Sequence, residues 1–397
     1  MKFSRRIQNL QPSMTLTIDA TAKALKAEGV DIIGLSAGEP DFHTPEVIKQ
    51  AAVSALARNE TRYTPVGGTA ALKQAIVEKF EQDNGLRYAP GQIVVSCGAK
   101  HSFYNLAQVL WEPGDQVLVQ APYWVSYPEM IRLTGAEPVI VETGAASGFK
   151  MSPEQLEAAI TPQTRAVVIN SPCNPTGSGY GREEMERLCA AAVKHGLLVI
   201  SDEIYEKIVF NDFEHVSPAS LSPEMQANTV VINGASKAYA MTGWRIGYLA
   251  APAEIAGAVT KLQGQMTSNP TSIAQAATIA ALRESGQEVA NMVKEFARRR
   301  DFIMNRFGNI PGLTCFKPVG TFYSFPDVSC WYSKKWKGEP IGGSVRLCEF
   351  LLKEAKVAVV PGIAFGADAH IRLSFASALE QLEKAMDRIQ SAAAALD

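Results

Sequence analysis

The chain has 397 residues, of which 47% are hydrophobic and 20% are charged, and its formal net charge is −2. This composition is typical of globular proteins, and the length predicts two to three domains with a sizeable buried core. The nearly balanced charge excludes a global field that would recruit nucleic acid or an anionic membrane surface, so we expect neither as a partner.

Targeting and metal signals are weak. The first residues carry positive charge, but no apolar run follows them, and we therefore expect no secretory signal. Apolar runs such as 166–169 and 357–360 are too short to span a bilayer. The six cysteines form no C-x-x-C pair, and the five histidines form no H-E-x-x-H motif. These features favour a cytoplasmic enzyme with reduced thiols and no metal.

Seven short apolar runs, rich in β-branched residues, recur between about residues 90 and 250. The intervening segment 181–195 has acidic residues early and basic residues late, as a helix prefers. Apolar runs that alternate with helices are typical of buried strands in a mostly parallel sheet. We therefore predict an α/β fold whose strands contain the runs 93–95, 117–119, 139–141, 166–169, 197–200, 230–232 and 246–249.

The pattern changes after about residue 285. A long charged helix is predicted around 288–306, and a mixed region with β-like runs at 357–361 and 371–375 follows it, before a terminal amphipathic helix. We interpret this region as part of a second, smaller α/β domain that the N-terminal segment joins. The predicted large domain is 46–285, and the predicted small domain is 1–45 together with 286–397.

Polar residues follow three of the predicted strands, at the edge where open α/β sheets bind ligands. They are Asn174, then Asp202 with Tyr205, and then Lys237. An amine activated for attack on a carbonyl indicates Schiff-base chemistry, and a carboxylate is the usual partner of the pyridinium nitrogen of pyridoxal phosphate (PLP). Taken singly, Lys237 would be a surface lysine and Asp202 a helix cap or ion pair. Their joint placement favours a PLP site.

A glycine-rich segment at 177–181 follows a predicted strand and precedes a predicted helix, as a dinucleotide-binding loop does. The G-x-G-x-x-G pattern requires glycine where this chain has Arg182, and the sequence has no G-x-x-x-x-G-K-[ST] motif. Nucleotide binding is therefore the weaker hypothesis.

Several motifs in the correct order resemble those of class I aminotransferases, which are PLP enzymes of fold type I. They are Asn174-Pro175-x-Gly177, Asp202-x-x-Tyr205, Ser236-Lys237 and Gly243-x-Arg245-x-Gly247. The resemblance runs from Leu35 to Ser374 and is closest to the bacterial aspartate aminotransferase branch, which shares the segment 123–128. It implies a large domain with a mostly parallel seven-stranded sheet, a smaller α/β domain with a mobile N-terminal segment, and a homodimer with shared active sites.

The resemblance also implies a role for each site residue. Lys237 would bind PLP as a Schiff base and shuttle a proton, and Asp202 would keep the pyridine nitrogen protonated. The remaining cofactor contacts would come from Asn174 and Tyr205 at the phenolic oxygen, from Trp124 stacked on the ring, and from Gly98, Ala99, Lys100, Ser236 and Arg245 at the phosphate. Tyr63 would reach the phosphate in the neighbouring subunit. The substrate would be bound by Arg372, Gly38, Trp124, Asn174 and Lys100.

Without the resemblance, an ordinary structural role would explain several of these residues. Trp124 would fill the core, Tyr205 would be a half-buried phenol, and Asn174 would form a turn before a proline. Tyr63 would be an exposed loop aromatic, and Arg372 would form a structural ion pair.

The implied reaction is a ping-pong transfer of an amino group between an L-amino acid, which we expect to be aspartate, and 2-oxoglutarate. Lys100 is the candidate for binding the distal carboxylate, because this chain has a cation where other aminotransferases often have a neutral hydroxyl residue, and the branch that it resembles also has lysine there. The alternative is that Lys100 binds the phosphate only or points to solvent. The region 265–272 offers no arginine for the distal carboxylate.

Three other functions are alternatives to this interpretation. The first is an aminotransferase that prefers aromatic amino acids or prephenate. A PLP-dependent lyase is less favoured, although the fold alone does not exclude it. An aminotransferase-like transcriptional regulator is disfavoured, because roughly thirty residues precede the first motif, too few for a DNA-binding domain.

Overall fold

A computed structural model describes residues 1–8 and 10–396 of the chain. Its strands, numbered in chain order, are β1 (Ile33–Gly34), β2 (Ile93–Ser96), β3 (Gln116–Ala121), β4 (Glu137–Glu142), β5 (Thr164–Asn170), β6 (Leu198–Asp202), β7 (Thr229–Gly234), β8 (Gly247–Ala250), β9 (Tyr323–Ser324), β10 (Lys335–Trp336), β11 (Glu339–Pro340), β12 (Val357–Ala358), β13 (Val360–Pro361) and β14 (Ile371–Ser374).

The helices are numbered in the same way. They are α1 (Arg5–Gln8), α2 (Met14–Ala27), α3 (Glu46–Ala57), α4 (Ala70–Asn84), α5 (Ala99–Leu110), α6 (Ser126–Arg132), α7 (Pro153–Ala159), α8 (Arg182–Lys194), α9 (Pro223–Ala227), α10 (Ala253–Gly264), α11 (Ser272–Glu284), α12 (Gly286–Gly308), α13 (Ser344–Phe350) and α14 (Leu379–Ala394). Within the described part of the chain, no helix is both long enough and apolar enough to cross a membrane.

Seven strands form the central sheet, in the order β2-β8-β7-β6-β5-β3-β4. The four pairings among β7, β6, β5, β3 and β4 are parallel. Only β8 runs against its neighbours β2 and β7 in this sheet. Each of the seven predicted runs lies in one of these strands, to within a residue at the ends. The predicted α/β fold with a mostly parallel seven-stranded sheet is confirmed.

Helices cover both faces of the sheet. Successive side chains of a strand point to opposite faces, so alternate residues of one strand pack against different helices. In β7, Val230 and Ile232 belong to the same core as Phe103 of α5. Val231, between them, belongs instead to a core with Leu72 of α4. Burial on both faces explains why the strands are continuously apolar rather than alternating.

A separate core joins the end of the chain to its beginning. It contains apolar residues of α12, α13, α14 and the short strands near them, and it includes Ile33 and Leu35. Strand β1 pairs in parallel with β12, with Ile33 opposite Val357, while β14 lies between β13 and β9. The predicted small domain, 1–45 with 286–397, stays a proposal that this pairing supports.

Candidate active site

One cavity of about 380 Å³ lies at the carboxyl edge of the central sheet. Strands β5, β6 and β7 are parallel neighbours, so the segments that follow them meet at this edge. The predicted site residues that line the cavity are Gly38, Ala99, Lys100, Trp124, Asn174, Asp202, Tyr205, Ser236, Lys237, Arg245 and Arg372. The structure therefore brings together residues that are more than 300 positions apart in the chain. Of the other two predicted residues, Gly98 directly precedes this lining and Tyr63 lies elsewhere.

Asp202 is the last residue of β6, and its side chain is buried. Tyr127 donates a hydrogen bond from Oη to Asp202 Oδ2 over 2.5 Å, and the Ile204 N–H donates to Oδ1 over 3.2 Å. Burial raises the pKa of Asp202 to about 6, against the effect of these two donors, which lower it. Among the described residues no cation lies within salt-bridge distance of Asp202, so the carboxylate is available to a positively charged ligand.

Lys237 lies in the turn after β7 and faces the same cavity. Its Nζ donates a hydrogen bond to the backbone oxygen of Gly38. Burial has the largest effect on the pKa of this ammonium, and the nearby cations Arg372 and Arg245 act in the same direction. Together, against the opposing effect of acidic neighbours, they lower it to about 8. A lysine with a lowered pKa supplies more of the neutral amine, which is the form that attacks a carbonyl.

The N-terminus of α5 forms a cradle for an anion. The first amides of a helix have no intrahelical acceptor, and the helix dipole favours negative charge at this end. A side chain at Gly98, whose φ is +99°, would place its Cβ 2.5 Å from Arg245 Nη2. A Cβ at Gly247 would lie 2.1 Å from the Ala99 backbone nitrogen. These two glycines therefore allow the helix start and the Arg245 guanidinium to converge.

Arg372 is a buried cation in β14. Its Nη1 donates to Asn174 Oδ1 over 3.0 Å, and its Nη2 donates to the backbone oxygen of Ser36 over 2.7 Å. Its Nε has no hydrogen-bond partner. The guanidinium also packs on the ring of Tyr323, with 4.3 Å between Cζ and the ring centroid. Because no carboxylate in the described residues pairs with it, Arg372 can accept a carboxylate ligand.

Lys100 also faces the cavity and, like Lys237, Arg245 and Arg372, has no carboxylate partner in the described residues. Its Nζ lies 5.0 Å from the ring centroid of Trp124. Burial and the charge of Arg245 lower the pKa of Lys100. The side chain starts in the first turn of α5, from which it can reach the anion cradle or a bound substrate.

Tyr205 and Tyr323 form a buried pair of phenols. Their hydroxyl oxygens are 2.9 Å apart, and either can be the donor. A Cβ at Gly38 would lie 2.9 Å from Tyr323 Oη, so the glycine allows the N-terminal segment to approach this pair. Tyr323 thus contacts three predicted site residues: Tyr205, Gly38 and Arg372.

A family model described as aminotransferase class I and II matches residues 30–389 of this chain. The chain belongs to this family. The family predicted from the motifs is therefore confirmed, and PLP is the cofactor that membership in this family implies.

Similarity to named aminotransferases covers almost the whole chain. This aminotransferase is 50% identical over 392 residues to an aspartate aminotransferase of Geobacillus stearothermophilus, which covers 98% of each chain. It is 47% identical over 394 residues to an aspartate/prephenate aminotransferase of Nitrosomonas europaea, covering 98% of this chain and 99% of the relative. The solved structure of the Thermus thermophilus aspartate aminotransferase with maleate matches with a TM-score of 0.93 and 43% identity, covering 99% of this chain and 100% of that one. The predicted fold type is confirmed.

The residues of this aminotransferase fit PLP at three points. Asp202 offers a buried carboxylate that forms no salt bridge with any described residue, and Lys237 offers an amine with a lowered pKa. The start of α5 and Arg245 offer a cradle that side chains at the two glycines would fill. The individual roles of these residues remain proposals.

Several residues that line the cavity were not predicted from the sequence, and Tyr127 and Tyr323 are the two whose hydroxyls contact predicted site residues. Tyr127 lies in the segment 123–128, from which only Trp124 was assigned a role. Tyr323 lies in the mixed region between the predicted helix 288–306 and the run 357–361, where no site residue was predicted. No local pattern shows that either hydroxyl faces the site, because both partners are distant in sequence.

Tyr63 lies outside the cavity, with 92% of its side chain exposed. This exposure is compatible with a contact to a second subunit, and the predicted role of Tyr63 stays a prediction.

The described residues also contain one group that could hold a metal ion, Glu203, Glu206 and His215. Lys79 forms a buried salt bridge with Glu206, and Asn84 and Asn233 donate hydrogen bonds to the same carboxylate. Because the side-chain oxygens of Glu206 already have these partners, we assign no metal to this group.

Proposed function

We propose that this chain is a PLP-dependent aminotransferase that moves an amino group between L-aspartate and 2-oxoglutarate by a ping-pong mechanism. The cavity holds four cations that have no carboxylate partner in the described residues. We assign Lys237 and Arg245 to the cofactor, and the other two, Arg372 and Lys100, carry the choice of aspartate. A dicarboxylic amino acid can neutralise both. The relative from Geobacillus stearothermophilus bears the name aspartate aminotransferase, and maleate, a dicarboxylate, accompanies the Thermus thermophilus structure.

PLP would supply an aldehyde for the amino group and a ring that withdraws electrons from the substrate's Cα. Arg372 would bind the α-carboxylate through two parallel hydrogen bonds and fix the orientation of Cα. Lys237, held at the cavity wall, would take the proton from Cα and return it during the second half of the reaction. Its lowered pKa suits a base that works near neutral pH.

Asp202 would stabilise positive charge on the pyridine nitrogen from a buried position, where an electrostatic interaction is stronger than in water. Asn174 and Tyr205 would hydrogen-bond the phenolic oxygen. The start of α5, Ser236 and Arg245 would hold the phosphate.

We also propose that the enzyme is a cytoplasmic homodimer in which each Tyr63 completes the site of the other subunit. The exposure of Tyr63 supports the shared site. All six cysteines are unpaired, and three of them are buried, which supports a reducing compartment.

A second substrate, the amino acceptor prephenate, has one observation in its favour. The relative from Nitrosomonas europaea bears the name aspartate/prephenate aminotransferase. Prephenate is also a dicarboxylate, so the same two cations could accept it.

A donor panel with 2-oxoglutarate tests the proposal. Glutamate formation is measured with aspartate, alanine, phenylalanine and tyrosine as donors, and prephenate is tested as an acceptor with glutamate or aspartate. We expect the highest kcat/KM for aspartate among the amino donors. A higher value for an aromatic donor would overturn the choice of aspartate, and release of ammonia without glutamate would instead indicate a lyase.

A further inference from the structure

The hydrogen bond from Tyr127 to Asp202 joins a helix to a strand end across 75 residues of sequence. The separation between Tyr127 Oη and Asp202 Oδ2 is 2.5 Å, at the short end of the range for a phenol that donates to an ionised carboxylate. Both side chains are almost fully buried, with 2% of Tyr127 and 4% of Asp202 exposed. Water therefore competes little for this bond, and removal of the donor would leave a buried acceptor without it.

The Tyr127 ring is held from two sides. Its centroid lies 5.0 Å from the centroid of Phe103 and 5.1 Å from that of Trp124. Because the ring is packed between aromatic neighbours, the hydroxyl is oriented towards Asp202 before any ligand binds. The Ile204 N–H holds the other carboxylate oxygen. Asp202 is thus fixed by one backbone donor and one side-chain donor.

Other ionisable groups also act on Asp202. Glu203, the next residue after β6, raises the pKa of Asp202, and Lys237, from the turn after β7, lowers it. Cys173, from the loop after β5, and Tyr205, from the segment after β6, act on Tyr127 itself. Burial is the largest effect and favours the neutral acid. Among the described residues, Tyr127 is the one side chain that donates a hydrogen bond to this carboxylate.

We propose that Tyr127 is a positioning residue that keeps Asp202 ionised and oriented for the pyridine nitrogen of PLP. A donor bonded to a carboxylate stabilises the anion more than the neutral acid. Without it, Asp202 would protonate at a higher pH and lose the negative charge that retains a protonated ring. The inference rests on the proposed role of Asp202.

The test uses the apoenzyme and PLP as the probe. The dissociation constant of PLP is measured between pH 5 and 8 by quenching of tryptophan fluorescence, for the wild-type protein and for Tyr127→Phe. The titration of PLP itself is common to all variants, so differences between variants isolate Asp202. As the pH falls, Asp202 becomes protonated and the affinity for PLP decreases. We expect the midpoint of this decrease to lie about 1 pH unit or more higher in Tyr127→Phe than in the wild-type protein, since a hydrogen bond to a charged group is removed.

Tyr180→Phe is the matched control. Tyr180 is also buried, and its hydroxyl donates to Gln120, outside the cavity. We expect this variant to lose some stability but to keep the wild-type pH dependence. A second variant places 3,5-difluorotyrosine at position 127, which keeps the shape of the side chain and makes it a stronger donor. It should shift the midpoint to lower pH.

The same measurement on Asp202→Asn, with and without Tyr127→Phe, shows whether Tyr127 acts through the carboxylate. We expect Tyr127→Phe to cause no shift in the Asp202→Asn background. An unshifted midpoint in Tyr127→Phe, or an equal shift in both backgrounds, would overturn the inference.

If PLP binding to the Asp202→Asn single variant shows the wild-type pH dependence, the proposed role of Asp202 is wrong. The inference about Tyr127 is then wrong as well. The proposed function is tested separately by the donor panel, so the two failures are distinguishable.

Discussion

Arg372 Nη1 donates to Asn174 Oδ1 over 3.0 Å, and this bond joins β14, near the end of the chain, to the loop after β5 in the central sheet. The two residues are 198 positions apart. Together with the bond from Nη2 to Ser36, it fixes the plane of the guanidinium before a substrate enters. The substrate's carboxylate therefore meets a fork that is already oriented, which reduces the entropy lost on binding.

Replacing Arg372 with lysine tests this orientation. Lysine keeps the charge but lacks the planar fork, so one hydrogen bond to the carboxylate and the bond to Asn174 cannot both be kept. We expect Arg372→Lys to lower kcat/KM by about 10- to 100-fold for every amino donor, since a hydrogen bond between charged groups is lost. Arg300→Lys is the control, because Arg300 is buried outside the cavity. An effect confined to acidic donors would contradict the role of Arg372 as the α-carboxylate residue.

Lys100 should matter only for donors with a second carboxylate. We expect Lys100→Ala to raise the KM for aspartate far more than the KM for alanine or phenylalanine, which have no distal charge to bind. Steady-state kinetics with the three donors measure the difference. If all three donors lose activity equally, Lys100 serves the cofactor phosphate instead, and the preference for aspartate needs another cation.

Asp202→Asn preserves the shape of the side chain and removes its charge. We expect PLP to bind more weakly and kcat to fall by about 100-fold or more, because a preorganised electrostatic interaction in a buried site is lost. Single-turnover measurements at saturating PLP separate weaker cofactor binding from slower chemistry. Turnover close to that of the wild-type protein would exclude the proposed role.

Much of the fold could be predicted from the sequence, because its signals are local. The apolar run 230–232 marks β7, since both faces of the strand are buried and every side chain must be apolar. The segment 181–195 marks α8 by its distribution of charge. Both signals depend only on residues close together in the chain.

The site could be predicted only in part. Asp202 and Lys237 follow strands, so topology alone places them at one edge. The contacts of Tyr127 with Asp202, and of Tyr323 with Tyr205, depend on how a helix and a later strand pack against that edge. A contact between residues 75 or 118 positions apart has no periodic signature. The assignment of Arg372 likewise depended on the resemblance, because an arginine in a β-like run is ordinarily structural.

Because burial lowers the pKa of Lys237, we expect the protonated form of this amine to destabilise the folded apoprotein. The Lys237 amine has its ordinary pKa of 10.5 in the unfolded chain and a pKa of about 8 in the folded chain. Between these values the unfolded state binds more protons, so the wild-type free energy of unfolding rises with pH there. Below pH 8 the ammonium is buried at a cost, and Lys237→Met removes that cost.

We therefore expect the Lys237→Met apoprotein to be more stable than the wild-type apoprotein by about 3 kcal/mol at pH 7. The difference should shrink to about 1 kcal/mol at pH 10, where the folded wild-type amine is already neutral. Urea unfolding at the two pH values measures both free energies. A difference that does not change with pH would show that packing, not charge, accounts for the gain.

The half-reaction with aspartate alone tests the proposed transamination most directly. The PLP-loaded enzyme is mixed with excess aspartate in the absence of any 2-oxo acid, and oxaloacetate, ammonia and the absorption of the cofactor are followed together. We expect about one oxaloacetate per subunit, no ammonia, and loss of the absorption of the cofactor's aldehyde form. Addition of 2-oxoglutarate should restore that absorption and release one glutamate. Continuous turnover without a 2-oxo acid, with ammonia released, would contradict the account.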